Sequence, residues 1–367
     1  MPTAIVYGLL LDDAGEAWPG RVQLMHAMAQ RSQVVFLERA SGAATGVHPV
    51  VDRLDEHALV IRNAFPLLAR RRVRRLPGVA AAEARTFRRV LGDAGISDVI
   101  LWLSGPDPGL AGVVSADRLV YDCIDPNFLP GHEQAFDAAE LPVARRARLV
   151  FATAGTLLDR MRAVNPRSFL LPNATWPRPR TPHVRRPEPL RSARGPIIGY
   201  LGTVDWRFDV DAVAQAAHAL PDCTFAIVGR INRERDQEMR LLGLLPNVVL
   251  PGPVDDITGN DYTDAFDVGL IPFKPGPMND AINPVKMYMY LAQGIPVVAT
   301  DIAECRHNPL VRTAPSPPQL VAAIEAALAD RGEDAVRRRI AFGQENTWAH
   351  RAADGWRILQ EHGLVSA

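Results

Sequence analysis

Lysine is almost missing from this chain of 367 residues: only Lys274 and Lys286 stand among 39 arginines. Both fall in one stretch, 267–300, either by chance or because lysine is kept where a compact ammonium is needed and a planar guanidinium will not fit. Net charge is missing too. Basic and acidic residues balance at 41 each, which leaves no global field to draw the protein to nucleic acid or a membrane. The three cysteines, Cys123, Cys223 and Cys305, are far apart and form no C-x-x-C pair. A disulfide framework and a structural zinc site are therefore not expected, and the chain suits a reducing cytosol. The nine histidines include no H-E-x-x-H, so no metal is expected. Neither half opens with G-x-G-x-x-G, which argues against an NAD-dependent enzyme, and the absence of G-K-[ST] excludes a Walker-type nucleotide hydrolase. Apolar runs stop short of membrane-spanning length. The opening MPTAIVYGLLLDDAG is broken by Asp12 and Asp13 and reads as a buried first strand, not a signal peptide.

What is present is a folded composition, 47% hydrophobic, at a length that suits two domains of about 150–180 residues. Short apolar runs alternate with helical patterns, as in parallel α/β sheets. Strands are expected at Thr3–Leu10, Gln33–Leu37, Ala58–Arg62, Asp98–Leu103, Arg118–Asp122 and Leu149–Thr153. A helix is expected over 20–31, where Val22, Leu24, Met25, Met28 and Ala29 recur at helical spacing. A second set of strands follows: Ile197–Leu201, Thr224–Val228, Val248–Leu250, Val268–Ile271 and Val297–Ala299. Helices are expected at Asp209–Leu220 and Val285–Gln293, with a final tract over Pro318–Leu328, Val336–Glu345 and Ala349–His362. Between the sets, residues 176–196 are dense in proline and read as an interdomain linker. Two βαβ domains in tandem place a ligand in the cleft that the strand carboxyl ends face. The basic cluster RRRVRR (70–75) reads as a solvated loop or helix start, or as an anion or membrane-surface contact within AFPLLARRRVRRLP (64–77).

The sharpest element is AINPVKMYMYLAQGIPVVAT (281–300). Asn283 reads as an N-cap, Pro284 as the first helical residue, and Lys286 lies in the first turn. A cation there opposes the helix dipole, so local stability does not explain it. With free backbone N–H groups at the same end it suits a diphosphate, the alternative being an ordinary helix start with a solvated lysine. Gly294 ends the helix and Pro296 precedes a buried strand.

NPVKMYMYLAQGIPVVAT resembles the donor-site helix of GT-B glycosyltransferases, specifically retaining family 4 (glycosyl transferases group 1). The resemblance runs back through IIGYLGTVDWRFDVDAV (197–213), FAIVGR (225–230), NVVLPGPV (247–254) and FDVGLIPF (266–273), and forward to ENTWAHRA (345–352). In the first half PGRVQLMHAMAQ (19–30), LVYDCIDPNF (119–128), LVFATAGTLLDRM (149–161) and LLPNATW (170–176) fall in the family's order.

The resemblance implies an α/β fold of GT-B type: two Rossmann-like domains facing across a cleft, with a C-terminal helix crossing back onto the first. The domains would be 1–175 with helix 347–367, which would take the acceptor, and 197–346, which would take the nucleotide sugar. It implies a cytoplasmic, metal-independent, retaining hexosyltransferase, at most peripheral to the inner face of the membrane. Its partners would be a nucleoside-diphosphate sugar and a small-molecule, lipid-linked or polysaccharide acceptor. The diphosphate-binding basic pair would be Lys286 and Arg207, beside Gly202, Thr203 and Trp206. Ile282, Asn283, Pro284, Val285 and Met289 would complete the donor helix, with Pro251 and Val254 flanking the base. Gly229 and Arg230 end a strand near the nucleotide or form a simple turn. The family's glutamate three residues after the lysine is replaced here by Met289, and its partner eight residues earlier by Ala281. A thioether cannot replace a bidentate carboxylate acceptor. The alternative is therefore a catalytically degenerate GT-B partner or nucleotide-binding protein, and after it a GT-B sugar epimerase.

In the first half, Asp122 and Asp125 follow a strand and either serve the acceptor or form caps and turns. Arg21 and His26 lie on or before the first helix, near the expected acceptor site, although a lone histidine has a structural reading as well. Gly8 would let the chain pass close to the sugar diphosphate. Trp18, Trp176 and Trp206 either stack on sugar or pack in a core.

Overall fold

Two units make up the computed structural model: Met1–Asn173 with Trp348–Ala367, and Ala174–Thr347. The structure describes residues 3–8, 19–38, 50–62, 78–126, 133–181, 186–193 and 195–366. Trp18 and the arginine cluster 70–75 lie outside the described residues.

The first unit is built on strands β1 (Ala4–Gly8), β2 (Val34–Glu38), β3 (Val50–Arg53), β4 (Ala58–Arg62), β5 (Val99–Ser104), β6 (Leu119–Cys123), β7 (Leu149–Ala152) and β8 (Ser168–Leu170). They run in the order β3-β4-β2-β1-β5-β6-β7-β8, parallel except for β3, which is antiparallel to β4. The central strands are continuous apolar runs because helices cover both faces: Ile5, Val6, Ile100, Leu101 and Val120 are wholly buried. The crossovers carry α1 (Pro19–Ala29), α2 (Val79–Asp93), α3 (Pro108–Ala111), α4 (Glu133–Arg146) and α5 (Gly155–Arg162). The Asp107 carboxylate caps α3 by accepting from the Leu110 N–H at 2.9 Å. Of the eight strands, β3 and β8 escape the sequence reading. Both are short, edge-lying and partly exposed, so neither has the apolar density of a central strand.

The second unit is a parallel sheet of β9 (Ile197–Leu201), β10 (Thr224–Val228), β11 (Val248–Gly252), β12 (Val268–Ile271), β13 (Val297–Thr300) and β14 (Val311–Ala314), in the order β11-β10-β9-β12-β13-β14. β14 is again a short edge strand, VRTA, that the apolar pattern misses. Helices α6 (Val210–Ala219), α7 (Asp236–Leu242), α8 (Asp256–Ala265), α9 (Val285–Ala292), α10 (Ala303–Arg306), α11 (Pro317–Ala329) and α12 (Glu333–Glu345) join and cover the strands. α13 (Trp348–Glu361) returns to the first unit and packs on α1. That approach uses Gly355, where a Cβ would stand 2.8 Å from the Met28 methyl carbon.

Two glycines seat α9 on its sheet. Gly199 of β9 and Gly269 of β12 are paired neighbours. A Cβ on Gly199 would stand 2.2 Å from the Phe266 ring, and one on Gly269 would stand 2.3 Å from the Tyr290 ring. The two rings meet edge to face at 6.2 Å. Tyr290 is therefore sunk into the sheet and fixes the helix that carries Lys286.

The proline-rich segment is more than a spacer. Arg178 donates to both oxygens of the Asp264 carboxylate, at 2.9 and 2.7 Å, and Arg180 donates to the Asp264 and Phe266 carbonyls. Leu190 is wholly buried in the core of the second unit. Proline removes backbone donors, and arginine side chains supply the contacts that a ladder would have made. No helix among the described residues is long and apolar enough to cross a membrane.

Candidate functional site

Because every strand of the second sheet is parallel, the loops after β9, β10, β11 and β12 leave from one edge, and α9, which follows β12, starts at that edge. The sequence-predicted donor residues gather there. Gly202 has φ +150°, and a Cβ on it would lie 3.4 Å from both Cε and Nζ of Lys286. The Lys286 ammonium thus rests against the backbone of the turn after β9. It stands 4.8 Å from the centre of the Tyr200 ring and 4.7 Å from that of Phe273. Cation–π attraction of about 0.5–2 kcal/mol offsets the ~0.3–1 kcal/mol that the helix dipole costs a first-turn cation. No acidic residue stands in the first turn of α9 itself.

Arg207 reaches the same ring: its guanidinium carbon lies 5.8 Å from the centre of Phe273. The backbone brings it there. Phe208 bridges Phe273, and the Lys274 N–H donates to the Arg207 carbonyl at 2.7 Å. The Asp205 carboxylate accepts from the Arg207 N–H at 2.9 Å and from its Nε at 3.0 and 2.9 Å. Two cations expected to share a diphosphate therefore both lie over the Phe273 ring, one of them oriented by a carboxylate. Lys274, the other lysine, is exposed, and only its backbone serves this corner.

The turn itself is fixed by close backbone packing. Gly229, at φ +137°, sits so near Gly202 that a Cβ would be 2.1 Å from the Gly202 carbonyl oxygen, so no side chain fits. The Arg230 carbonyl accepts from the Val204 N–H at 2.8 Å. The Tyr200 hydroxyl donates to the Thr203 carbonyl at 2.7 Å, and the Tyr290 hydroxyl accepts from the Leu201 N–H at 2.9 Å. Burial drives both phenols well above their ordinary range, so they stay protonated. Trp206 is half-buried on the same loop, Pro251 lies in β11, and Val254 packs with Leu201 around Gly259.

The start of α9 differs from the sequence expectation. Pro284, not Asn283, occupies the cap position, with extended dihedrals and no side-chain cap bond, and Val285 is the first helical residue. The residue before a proline is held out of the helical region, which excludes Asn283 from the helix. Its buried side chain instead donates to Glu304 Oε2 at 2.7 Å. Ile282 and Ala281 are buried, and Met289 packs against the core of the unit. The end of the helix is as expected: Gly294 at φ +74° closes it, its N–H donating to the Leu291 carbonyl and that of Ile295 to Tyr290.

In the first unit the candidates are not brought together in this way. Asp122 is wholly buried within β6, where it accepts from Arg21 Nη2 at 2.8 Å, Trp102 Nε1 at 2.9 Å and Ser104. Arg21, 1% exposed, also donates to the Leu171 carbonyl at 2.9 Å. The expected acceptor arginine and catalytic aspartate are thus each other's partners in an interior network, since a charge in the core requires a countercharge. Burial, together with the Asp122 charge, pushes the Tyr7 phenol up beside them. His26 is exposed in the last turn of α1, its ring 5.3 Å from Phe36, toward the end away from the strand carboxyl termini. Gly8 ends β1, where a Cβ would press on Leu103 and Leu110 at 3.3 Å. Asp125 lies just beyond β6 and is 8% exposed, and Trp176, which belongs to the second unit, is 46% exposed. Among the described residues, no group of three or more His, Cys, Asp or Glu forms a set that could hold a metal ion.

Sequence reasoning passed over Tyr200, Asp205, Phe273, Tyr290 and Glu304. Tyr200 and Phe273 had a signal: one is an aromatic at the carboxyl end of a predicted strand and the other stands two residues beyond such an end, each within two residues of a glycine or proline.

Comparison with known proteins bears on the same region. Residues 195–330 match the family described as glycosyl transferases group 1. A putative teichuronic acid biosynthesis glycosyltransferase, TuaH of Bacillus subtilis strain 168, is 27% identical over 287 residues, covering 71% of this chain and 72% of that one. Sucrose-phosphate synthase from Thermosynechococcus elongatus superposes with a TM-score of 0.68 at 17% identity over 98% of both chains. Anabaena HepE, solved in complex with UDP, superposes with a TM-score of 0.66 at 16% identity over 98% of this chain and 100% of that one. The two solved structures give the fold, and the family match and the Bacillus relative give the class: this chain is a glycosyltransferase on a GT-B fold, and its residues 195–330 match glycosyl transferases group 1.

Proposed function

We propose that the chain transfers a hexosyl group from a nucleoside-diphosphate sugar to an acceptor hydroxyl, with retention of anomeric configuration and without a metal ion. One observation carries this reading: Lys286 is seated against Gly202, and Arg207 stands on the same Phe273 ring. The diphosphate would lie along the turn after β9, its charge met by Lys286, Arg207 and the N–H groups at the start of α9. The bond between the anomeric carbon and the phosphate oxygen breaks, and its electron pair stays on the departing diphosphate. The acceptor oxygen bonds to the anomeric carbon on the same face and passes its proton to a donor phosphate oxygen. No enzymic nucleophile is then required. Asp122 takes no part in this step, because Arg21 and Trp102 already occupy its carboxylate. The name of the Bacillus relative makes intermediates of teichuronic acid synthesis the acceptors to try first.

A second reading, a nucleotide-binding partner without turnover, has Met289 in its favour, since the thioether packs on the core where a carboxylate would grip ribose. Proton NMR of donor turnover separates the two. A new glycoside with the donor's anomeric configuration supports transfer with retention, whereas bound donor that stays intact with every acceptor supports the partner reading.

A further inference from the structure

The loop that carries Arg207 is held from below by a buried guanidinium. Arg235, 7% exposed, closes a 3-10 turn (Arg233–Arg235) just before α7. Its Nε donates to the Asp205 carbonyl at 3.1 Å and its Nη2 to the Trp206 carbonyl at 2.7 Å, while Nη1 pairs with Glu238. Two successive carbonyls are thus fixed by one rigid fork, a geometry that a lysine ammonium cannot reproduce. The same Asp205 whose carbonyl is held turns its carboxylate to the Arg207 N–H and Nε. Nearby, the Asn232 N–H donates to the Val204 carbonyl at 2.9 Å, so the segment before Arg207 is tied along its length to the chain after β10.

We propose that Arg235 is a positioning residue for the donor diphosphate: it fixes the Asp205–Trp206 backbone, which aims the Arg207 guanidinium across Phe273, and it does not touch the ligand. The inference rests on the donor-site reading given above. Its signature is non-additivity with Arg207, since a group that acts only through Arg207 has nothing to act on once Arg207 is gone.

The test is a double-mutant cycle read by calorimetry. The probes are whichever of UDP, GDP, ADP, CDP and dTDP binds the wild type most tightly, and the corresponding nucleoside. Arg235→Lys is expected to weaken the diphosphate about 3- to 10-fold and leave the nucleoside unchanged, whereas in an Arg207→Gln background the same change should cost less than about 2-fold. Glu238→Gln, at a more exposed position, repeats the cycle with a smaller loss and guards against an Arg235 variant that fails to fold. Equal weakening of nucleoside and diphosphate, or additivity with Arg207→Gln, would overturn the inference and leave Arg235 a purely structural contact. Full diphosphate affinity in Arg207→Gln alone would instead overturn the donor-site reading of Arg207, and this inference with it.

Discussion

The ammonium of Lys286 stands 4.7 Å from the centre of the Phe273 ring, and that ring belongs to the strand end after β12, twelve residues before the helix that carries the lysine. The contact gives a first-turn cation a reason to remain where the helix dipole disfavours it. Replacing the ring by an aliphatic side chain removes the support and keeps the charge. Phe273→Leu should therefore weaken nucleoside-diphosphate binding by about 3- to 10-fold, with the fold retained. Calorimetry alongside circular dichroism reads both, and undiminished affinity would show that the ring plays no part in seating the lysine.

Asp122 is a structural residue on this account. Asp122→Ala leaves the Arg21 guanidinium in the core without its carboxylate, which should cost about 3–5 kcal/mol of stability. Diphosphate binding by the second unit should be unchanged wherever the variant is folded. A variant as stable as the wild type but without transferase activity would return Asp122 to a catalytic role.

If cationic side chains and helix N–H groups neutralise the leaving diphosphate, chelation should not matter. Turnover in excess EDTA should stay within about 2-fold of the untreated enzyme. Activity abolished by EDTA and restored by a divalent cation would refute metal independence.

Cys305 reports on the same corner. Burial foremost, and then the neighbouring Glu304, push its thiol up to about 12, with Lys286 acting in the opposite direction. A folded-state value above the ordinary 9.0 means that the unfolded chain ionises first as pH rises. The stability linked to this thiol is fully present below about pH 9 and is lost as pH climbs toward about 12. Urea unfolding at about pH 8 and about pH 11 should show a smaller alkaline loss in Cys305→Ala than in the wild type.

The corner around Lys286 was legible in the sequence because its signals are local. Gly294, Pro296 and the apolar run after them bracket one helix, and φ +74° at Gly294 is what the sequence asked of it. Gly202 and Gly229 were picked out singly, although their mutual contact, which explains both, spans two strands and is invisible along the chain. Asn283 misled because an Asn-Pro pair has two readings, and the proline keeps the residue before it extended. Arg21 and Asp122 misled for a different reason: 101 residues separate them, and nothing local distinguishes a charge facing solvent from one paired in the core. His26 is a question of helical phase, which leaves it exposed on α1 while Met25, Ala27 and Met28 beside it are buried.

The central claim is a diphosphate site at Lys286, and calorimetric titration of the wild type and Lys286→Ala against UDP, GDP, ADP, CDP and dTDP tests it most directly. The account predicts saturable binding of one diphosphate to the wild type, weakened at least about 10-fold in a variant with an unchanged melting temperature. Wild-type affinity in Lys286→Ala would contradict it.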